Sequence, residues 1–372
     1  MLSFCMRKPC RIRHTLASKA LIMWHCKLVH AKGKPMRKLF LIICILVIAG
    51  SGLTAASMRK EPPARSPDEI WQRCNRAVVE VLVDGRHSGS GWFARADGLL
   101  VTASHLFDAR TRPVEIVSPV YGRLGVELVA IDRGHDVAVL RAPARSGGYY
   151  ALPLASKLPQ IGEEIWQFGA PIFRNGILQR GVIARAETGF EYYGETIGYV
   201  EVLYISGMMQ GGTSGGPWLN SRGEVVGVQS GIMSLDSKPV GISYLSPVSN
   251  VVNRLLQLSD AATPTAGLAV DHLWESAPDF IKKLPAGTMG LVVTRLHKNG
   301  PAEQAGLKKR DVLLAADGKS LIRIEDLLRV VTRKKPGDTI ELTTLRSDPI
   351  QTNTIKLTLD CVEHPKPAPK TM

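Results

Sequence analysis

The residues able to do chemistry centre on one short run. Gly212-Thr213-Ser214-Gly215-Gly216-Pro217 has the composition of a tight turn. Such a turn exposes a serine hydroxyl and leaves the flanking backbone N–H groups, here those of Gly212 and Ser214, to bind an oxyanion. A serine hydroxyl is inert near neutral pH unless a neighbouring base takes its proton. His105 closes the run Thr102-Ala103-Ser104-His105 directly after a strand-like apolar stretch, which makes it the best-placed base. His87, His272, His297 and His364 are placed less well. A carboxylate must then hold the imidazole tautomer and stabilise the imidazolium. Asp136 opens the apolar run Val137-Ala138-Val139-Leu140 and is preferred to Asp132, four residues earlier. Each residue alone reads as a loop histidine, a strand cap and a turn serine. In the order His, Asp, Ser, and with the serine between apolar residues 200–203 and 225–228, they read as a nucleophilic acyl-transfer centre.

The elements that must carry these residues read as short strands. Residues 77–83, 91–95, 99–102, 114–117, 125–131 and 136–141 fit one half of a domain. Residues 164–168, 181–186, 199–204, 216–219, 224–229 and 241–245 fit the other. Short strands separated by Gly, Pro and Asp turns indicate a sandwich or barrels. A helix is expected over 247–258, with Val251, Val252, Leu255 and Leu256 on one face. Residues 259–265 are a linker by composition. Beyond it, strands are expected at 291–293, 312–315 and 339–344, and helices at 302–305 and 324–331. The tail 362–372, with Pro365, Pro367 and Pro369, reads as disordered.

Three hundred and seventy-two residues suggest two domains and a leader. The net charge of +14 invites a nucleic-acid partner, but its location argues against one. Residues 1–56 hold ten Lys and Arg and no Asp or Glu, which leaves 37 basic against 33 acidic residues in the rest. Lys34, Arg37 and Lys38 before the apolar run 39–50, with small residues after it, read as a signal peptide over 36–57. A membrane anchor over 39–56 is the alternative. The basic stretch 1–35 is expected to be a misassigned start, with translation from Met36. Only Cys74 and Cys361 lie beyond this leader, and they are expected to stay unpaired.

These motifs together resemble the HtrA/Deg serine proteases over about residues 67–359. Gly89-Ser90-Gly91-Trp92-Phe93 resembles their glycine-rich strand, and residues 102–105, 135–140 and 212–217 resemble their histidine turn, aspartate strand and nucleophile loop. Gly300-Pro301-Ala302-Glu303-Gln304-Ala305-Gly306-Leu307, followed by Asp311-Val312, is similar to their PDZ signature. The resemblance implies a mainly β chain. A chymotrypsin-like double β-barrel protease domain over 66–258 is followed by a small α+β PDZ domain over 266–361. It implies a His105-Asp136-Ser214 triad working through an acyl-enzyme, with no metal or organic cofactor. Its partners would be misfolded or signal-bearing proteins and peptides, with no nucleic acid. A homotrimer and a periplasmic location, soluble or anchored to the inner membrane, are also implied. Residues 207–211 lack the acidic and asparagine residues common there, and Thr213 stands where asparagine is common.

By the same resemblance, residues 206–209 form the floor of the pocket for the residue before the scissile bond. Met208 and Met209 would give it an adaptable apolar lining with no carboxylate for Lys or Arg. In the alternative both methionines face the barrel core, and Val228, Gln229, Ser230 and Gly231 line the pocket. The methionine lining predicts cleavage after aliphatic residues such as Val, Leu, Ala or Met. In the second domain Ala266, Gly267 and Leu268 would bind a peptide carboxylate, with Ile324, Leu327 and Leu328 lining the groove. A non-catalytic chaperone or scaffold with a silent protease fold, and a narrow-specificity trypsin-like processing enzyme, are the alternative functions.

Overall fold

A computed structural model describes residues 63–107, 112–194, 198–248 and 251–362. The leader 1–35, the signal or anchor segment 36–57 and all but the first residue of the 362–372 tail lie outside them. Among the described residues no helix is long and apolar enough to cross a membrane.

The described chain opens on α1 (Pro67–Ala77), a helix the strand pattern did not predict. Its start is nonetheless written in the sequence. Ser66 caps the N-terminus, Glu69 returns the bond to the cap backbone, and Pro67 occupies the first turn. Strands β1 (Val78–Val83), β2 (Arg86–Phe93), β3 (Leu99–Thr102), β4 (Val114–Ser118), β5 (Gly122–Asp132) and β6 (Val137–Arg141) follow. They close into a barrel in the order β1-β2-β3-β6-β5-β4. Val79, Val81, Phe93, Leu100, Ile116 and Leu140 fill its interior, as the period-two alternation of a closed barrel requires.

The second barrel is built from β7 (Glu164–Gly169), β8 (Ile177–Ile183), β9 (Gly189–Tyr193), β10 (Gly198–Ser206), β11 (Pro217–Leu219), β12 (Val225–Leu235) and β13 (Lys238–Pro247). The order is β13-β12-β11-β7-β8-β10-β9, and β13 also pairs with β10, which closes the ring and leaves β9 outside it. Helix α2 (Val251–Leu255) is shorter than expected, because β13 runs on to Pro247. The largest apolar cluster joins the two barrels: Ile70 and Cys74 of α1, Trp92 and Val101 of the first barrel, Leu219 and Val228 of the second, and Val252 of α2. The two-barrel expectation is borne out.

The C-terminal domain is a sheet ordered β15-β16-β17-β19-β20, made of β15 (Leu268–His272), β16 (Leu291–Leu296), β17 (Val312–Ala316), β19 (Thr339–Ser347) and β20 (Ile350–Thr358). The two-residue strand β18 (Lys319–Ser320) pairs with β17, and β14 (Pro264–Thr265) pairs with β21 (Asp360–Cys361). The short helices α3 (Pro278–Ile281) and α4 (Pro301–Gln304) precede α5 (Ile324–Val331), whose Leu327, Val330 and Val331 pack on the sheet core. Cys74 and Cys361 are both free.

Candidate active site

Asp136 is the best-connected residue of the candidate site. It sits just before β6 at φ 52, a left-handed conformation that Asp tolerates better than most residues. Its side chain is wholly buried. Oδ1 accepts from the backbone N–H of His105 at 2.8 Å and from Ser104 Oγ at 3.0 Å. Oδ2 lies 2.8 Å from His105 Nδ1 and accepts from Ser230 Oγ at 2.5 Å. Burial alone would raise its pKa. The His105 charge and the hydrogen bonds outweigh that and hold the carboxyl below its ordinary value. Asp136 is thus an anion that fixes the His105 ring through Nδ1 and its backbone through N–H.

The rival carboxylate has a different job. Asp132, also wholly buried, pairs with His135 Nδ1 at 3.0 Å and with Arg254 at 2.7 Å. The other His135 nitrogen lies 3.2 Å from Glu201 on β10. Burial pushes the His135 imidazole down, but the two carboxylates overcome it and raise its pKa to about 9. His135 therefore carries a proton near neutral pH and ties the β5–β6 turn to the second barrel. Of the other histidines, His87 lies 3.6 Å from Glu80 and His272 pairs with Glu275. His364 is outside the described residues.

Ser214 is half-buried and is clamped from the first barrel by Ser90 of β2. The Ser90 N–H donates to the Ser214 carbonyl at 2.7 Å, and its hydroxyl donates to the Gly212 carbonyl at 2.8 Å. Gly215, at φ 86, lies so close to Ser90 O, Thr102 Oγ1 and Ala103 N that a Cβ there would overlap them. Only glycine lets the serine loop meet the strand end that leads into His105. Gly212, at φ 97, is hemmed in likewise by Ala170 O. The Thr213 N–H turns back to Gln210 O at 3.3 Å, and the Thr213 hydroxyl reinforces that turn at 2.7 Å. The N–H groups of Gly212 and Ser214 on either side make no hydrogen bond among the described residues. Two unspent donors beside a serine hydroxyl are what an oxyanion needs.

The expected pocket residues separate. Met209 is buried in the second-barrel core with Ile205, Trp218 and Leu245, and Val228 is buried between the barrels. Met208 is 52 % exposed. The two neighbouring methionines therefore do not share one surface: Met209 enters the barrel core and Met208 does not. Gln229 is spent on Trp218 Nε1 and Gly231 O, and Ser230 is spent on Asp136. The sequence reading missed Tyr193, whose hydroxyl lies 2.8 Å from Ser230 Oγ. Burial, with the Asp136 charge, pushes its phenol well up, so it stays protonated and donates to Ser230. Tyr193 ends β9, a strand with no alternating pattern to reveal it.

Ala266, Leu268, Leu327 and Leu328, four of the six residues expected in the C-terminal groove, line one cavity, whereas Gly267 and Ile324 do not. A cavity of about 380 Å³ is lined by Thr265, Ala266, Leu268, Leu327, Leu328 and Val331, facing His135, Tyr199 and Glu201. Gly267 holds the loop at φ 67. Ile324 packs at the edge of the same domain core. No group of three or more His, Cys, Asp or Glu able to hold a metal occurs among the described residues.

Family models and known proteins match the chain as follows. Residues 89–228 match the trypsin-like peptidase domain, and residues 258–357 match the PDZ domain. A probable periplasmic serine endoprotease DegP-like of Rhizobium meliloti (strain 1021) is 28 % identical over 292 residues, 77 % of this chain and 56 % of that protein. Its counterpart in Pseudomonas savastanoi pv. phaseolicola is 28 % identical over 305 residues, 80 % of this chain and 60 % of that one. The chain spans little more than half the length of these relatives. Among solved structures, the HtrA-type protease AlgW with decapeptide superposes at TM-score 0.58 and 20 % identity, over 81 % of this chain and 100 % of that one. The serine endoprotease from Yersinia pestis does so at 0.54 and 22 %, over 82 % and 100 %.

Proposed function

Because the chain joins a trypsin-like peptidase domain to a PDZ domain, the pairing of the HtrA/Deg serine proteases, we propose that it is an exported serine endopeptidase acting on misfolded or signal-bearing proteins. The observation that carries the reading is the four-donor cradle of Asp136 around His105, set beside the two unspent amides at Ser214. His105, its Nδ1–H directed to Asp136, takes the Ser214 proton as Oγ attacks the scissile carbonyl. The oxyanion settles between the N–H groups of Gly212 and Ser214, each typically worth about 2.7–4 kcal/mol of transition-state stabilisation. His105 then protonates the leaving amine, and water resolves the acyl-enzyme by the same steps.

Exposed Ile172, Phe173 and Met208 support the substrate class, since the Ile172 N–H bonds to Gly211 O beside the nucleophile loop. Apolar surface there suits an unfolded chain. Neither residues 206–209 nor 228–231 carry a carboxylate, so cleavage after Val, Leu, Ala or Met is expected rather than after Lys or Arg. The PDZ domain captures peptide termini at the groove beside Ala266–Leu268. Export to the periplasm is supported by the location given to the curated relatives. The family resemblance is the basis for a homotrimer. Labelling of Ser214 by a fluorophosphonate, with casein cleavage lost in Ser214→Ala, tests the reading. Unlabelled Ser214, with casein left uncut by the parent chain as well, would replace it with the silent-scaffold alternative.

A further inference from the structure

Strand β15 lies at the end of its sheet, paired only with β16. Its free edge faces the groove, and that edge is where an added peptide strand would form its backbone bonds. At its middle the edge is already taken. The Val270 N–H donates to Tyr199 Oη at 2.9 Å, and the Val270 carbonyl lies 3.3 Å from the same oxygen as acceptor. A phenol has one donor hydrogen and acceptor lone pairs, so a single hydroxyl satisfies both groups of Val270. A residue directly opposite in an antiparallel ladder uses those same two groups. The Tyr199 ring packs against the apolar core of the C-terminal domain, yet Tyr199 belongs to β10 of the protease barrel.

We propose that Tyr199 is an internal occupant of the peptide groove: the chain caps its own β15 edge, and an incoming peptide must displace the phenol. This rests on the reading of the PDZ domain as a peptide-capturing domain. Tyr199 is held in place from both sides of the groove. Arg185 pairs with Glu325 of α5 at 2.8 Å, and Arg329 of α5 pairs with Glu187 at 3.1 Å. From β16, Arg295 lies over the Tyr192 ring at 5.5 Å, and Tyr192 contacts Tyr199 edge to face at 5.2 Å. The end of the groove beside Thr265–Leu268 remains a cavity. It admits a terminal carboxylate and an apolar side chain, while residues further back in the peptide meet Tyr199.

The test measures binding of a fluorescein-labelled decapeptide ending in Val-Leu-Val to the full chain carrying Ser214→Ala, with and without Tyr199→Phe. The phenylalanine keeps the ring but leaves Val270 N–H unpaired in the capped state. Loss of a partner for a buried donor then predicts roughly tenfold tighter peptide binding. Glu325→Gln, which leaves the ring untouched, should move affinity the same way by about two- to threefold. Amide exchange at Val270 should quicken in Tyr199→Phe without peptide. Equal or weaker decapeptide binding in both variants overturns the inference and leaves peptide capture standing. No binding by the parent or by either variant overturns peptide capture and the inference with it.

Discussion

The candidate catalytic centre and the groove of the C-terminal domain are held in contrasting ways. At the candidate catalytic centre the groups that must not move are buried and multiply bonded, with four donors on Asp136 and four hydrogen bonds through the backbone and hydroxyl of Ser90. The groups that must react, Ser214 and two amides, are left open. In the groove of the C-terminal domain the reactive edge is covered, and it is covered by exchangeable contacts: a neutral phenol and two ion pairs reaching the surface. Exposed pairs of that kind are worth about 0–1 kcal/mol each, whereas breaking a buried charged network costs several. Permanence is assigned to the chemistry and exchangeability to recognition.

Substitutions at the candidate catalytic centre give the most severe challenge to this contrast. Ser214→Ala or His105→Ala should each lower casein turnover on the order of 10⁴-fold or more, and the double variant should be little worse. Additive losses would mean the two residues do not act as a unit. Ser230→Ala removes the shortest bond to Asp136. A hydrogen bond to a charge is worth about 1.5–3 kcal/mol, so kcat should fall roughly tenfold to a hundredfold with little change in KM. A loss confined to KM would make Ser230 a substrate contact instead.

The His135 bridge gives an intermediate effect. Its folded pKa is raised to about 9, so its contribution is complete below the unfolded value near 6.5 and is lost as pH rises through about 9. The Tm of the wild type should therefore drop more than that of His135→Gln between pH 6.5 and 9.5. The difference should be on the order of 1–2 kcal/mol, given its partial exposure. Parallel Tm profiles would remove the proton from the bridge. The smallest effect is expected at the exchangeable contact: Arg329→Gln should change stability by no more than about 0.5 kcal/mol in chemical denaturation. A loss above about 2 kcal/mol would mean the groove is sealed as firmly as the candidate catalytic centre.

What could be read from the sequence follows the same division. The His105 turn, the Asp136 strand and the Ser214 loop are local constructions, each needing particular residues at fixed offsets, so their order alone pointed to the chemistry. Helix α1 was announced by Ser66-Pro67-Asp68-Glu69, a capping signal overlooked beside the strand pattern. Strand β9 had no such mark, because Phe190-Glu191-Tyr192-Tyr193 shows no alternation. Tyr193 and Tyr199 take their meaning from Ser230 and Val270, 37 and 71 residues away in sequence. Such pairings depend on how barrels and domains dock, which no local spacing encodes. Met208 and Met209 are neighbours in sequence with different surroundings, one exposed and one in the barrel core, a distinction set by how the second barrel packs.

The Ser90 clamp has a bearing on how this molecule is made. On the proposed function the base and its carboxylate come from the first barrel and the nucleophile from the second, where Gln229 O already holds the Gly215 N–H and Ser90 adds bonds across the seam. During synthesis the first half then emerges with a base and no serine. The second half follows with a serine loop that still lacks its bonds from Ser90. If the chain is the endopeptidase proposed above, cutting ability arrives last, as the final act of assembly, once the two halves have met.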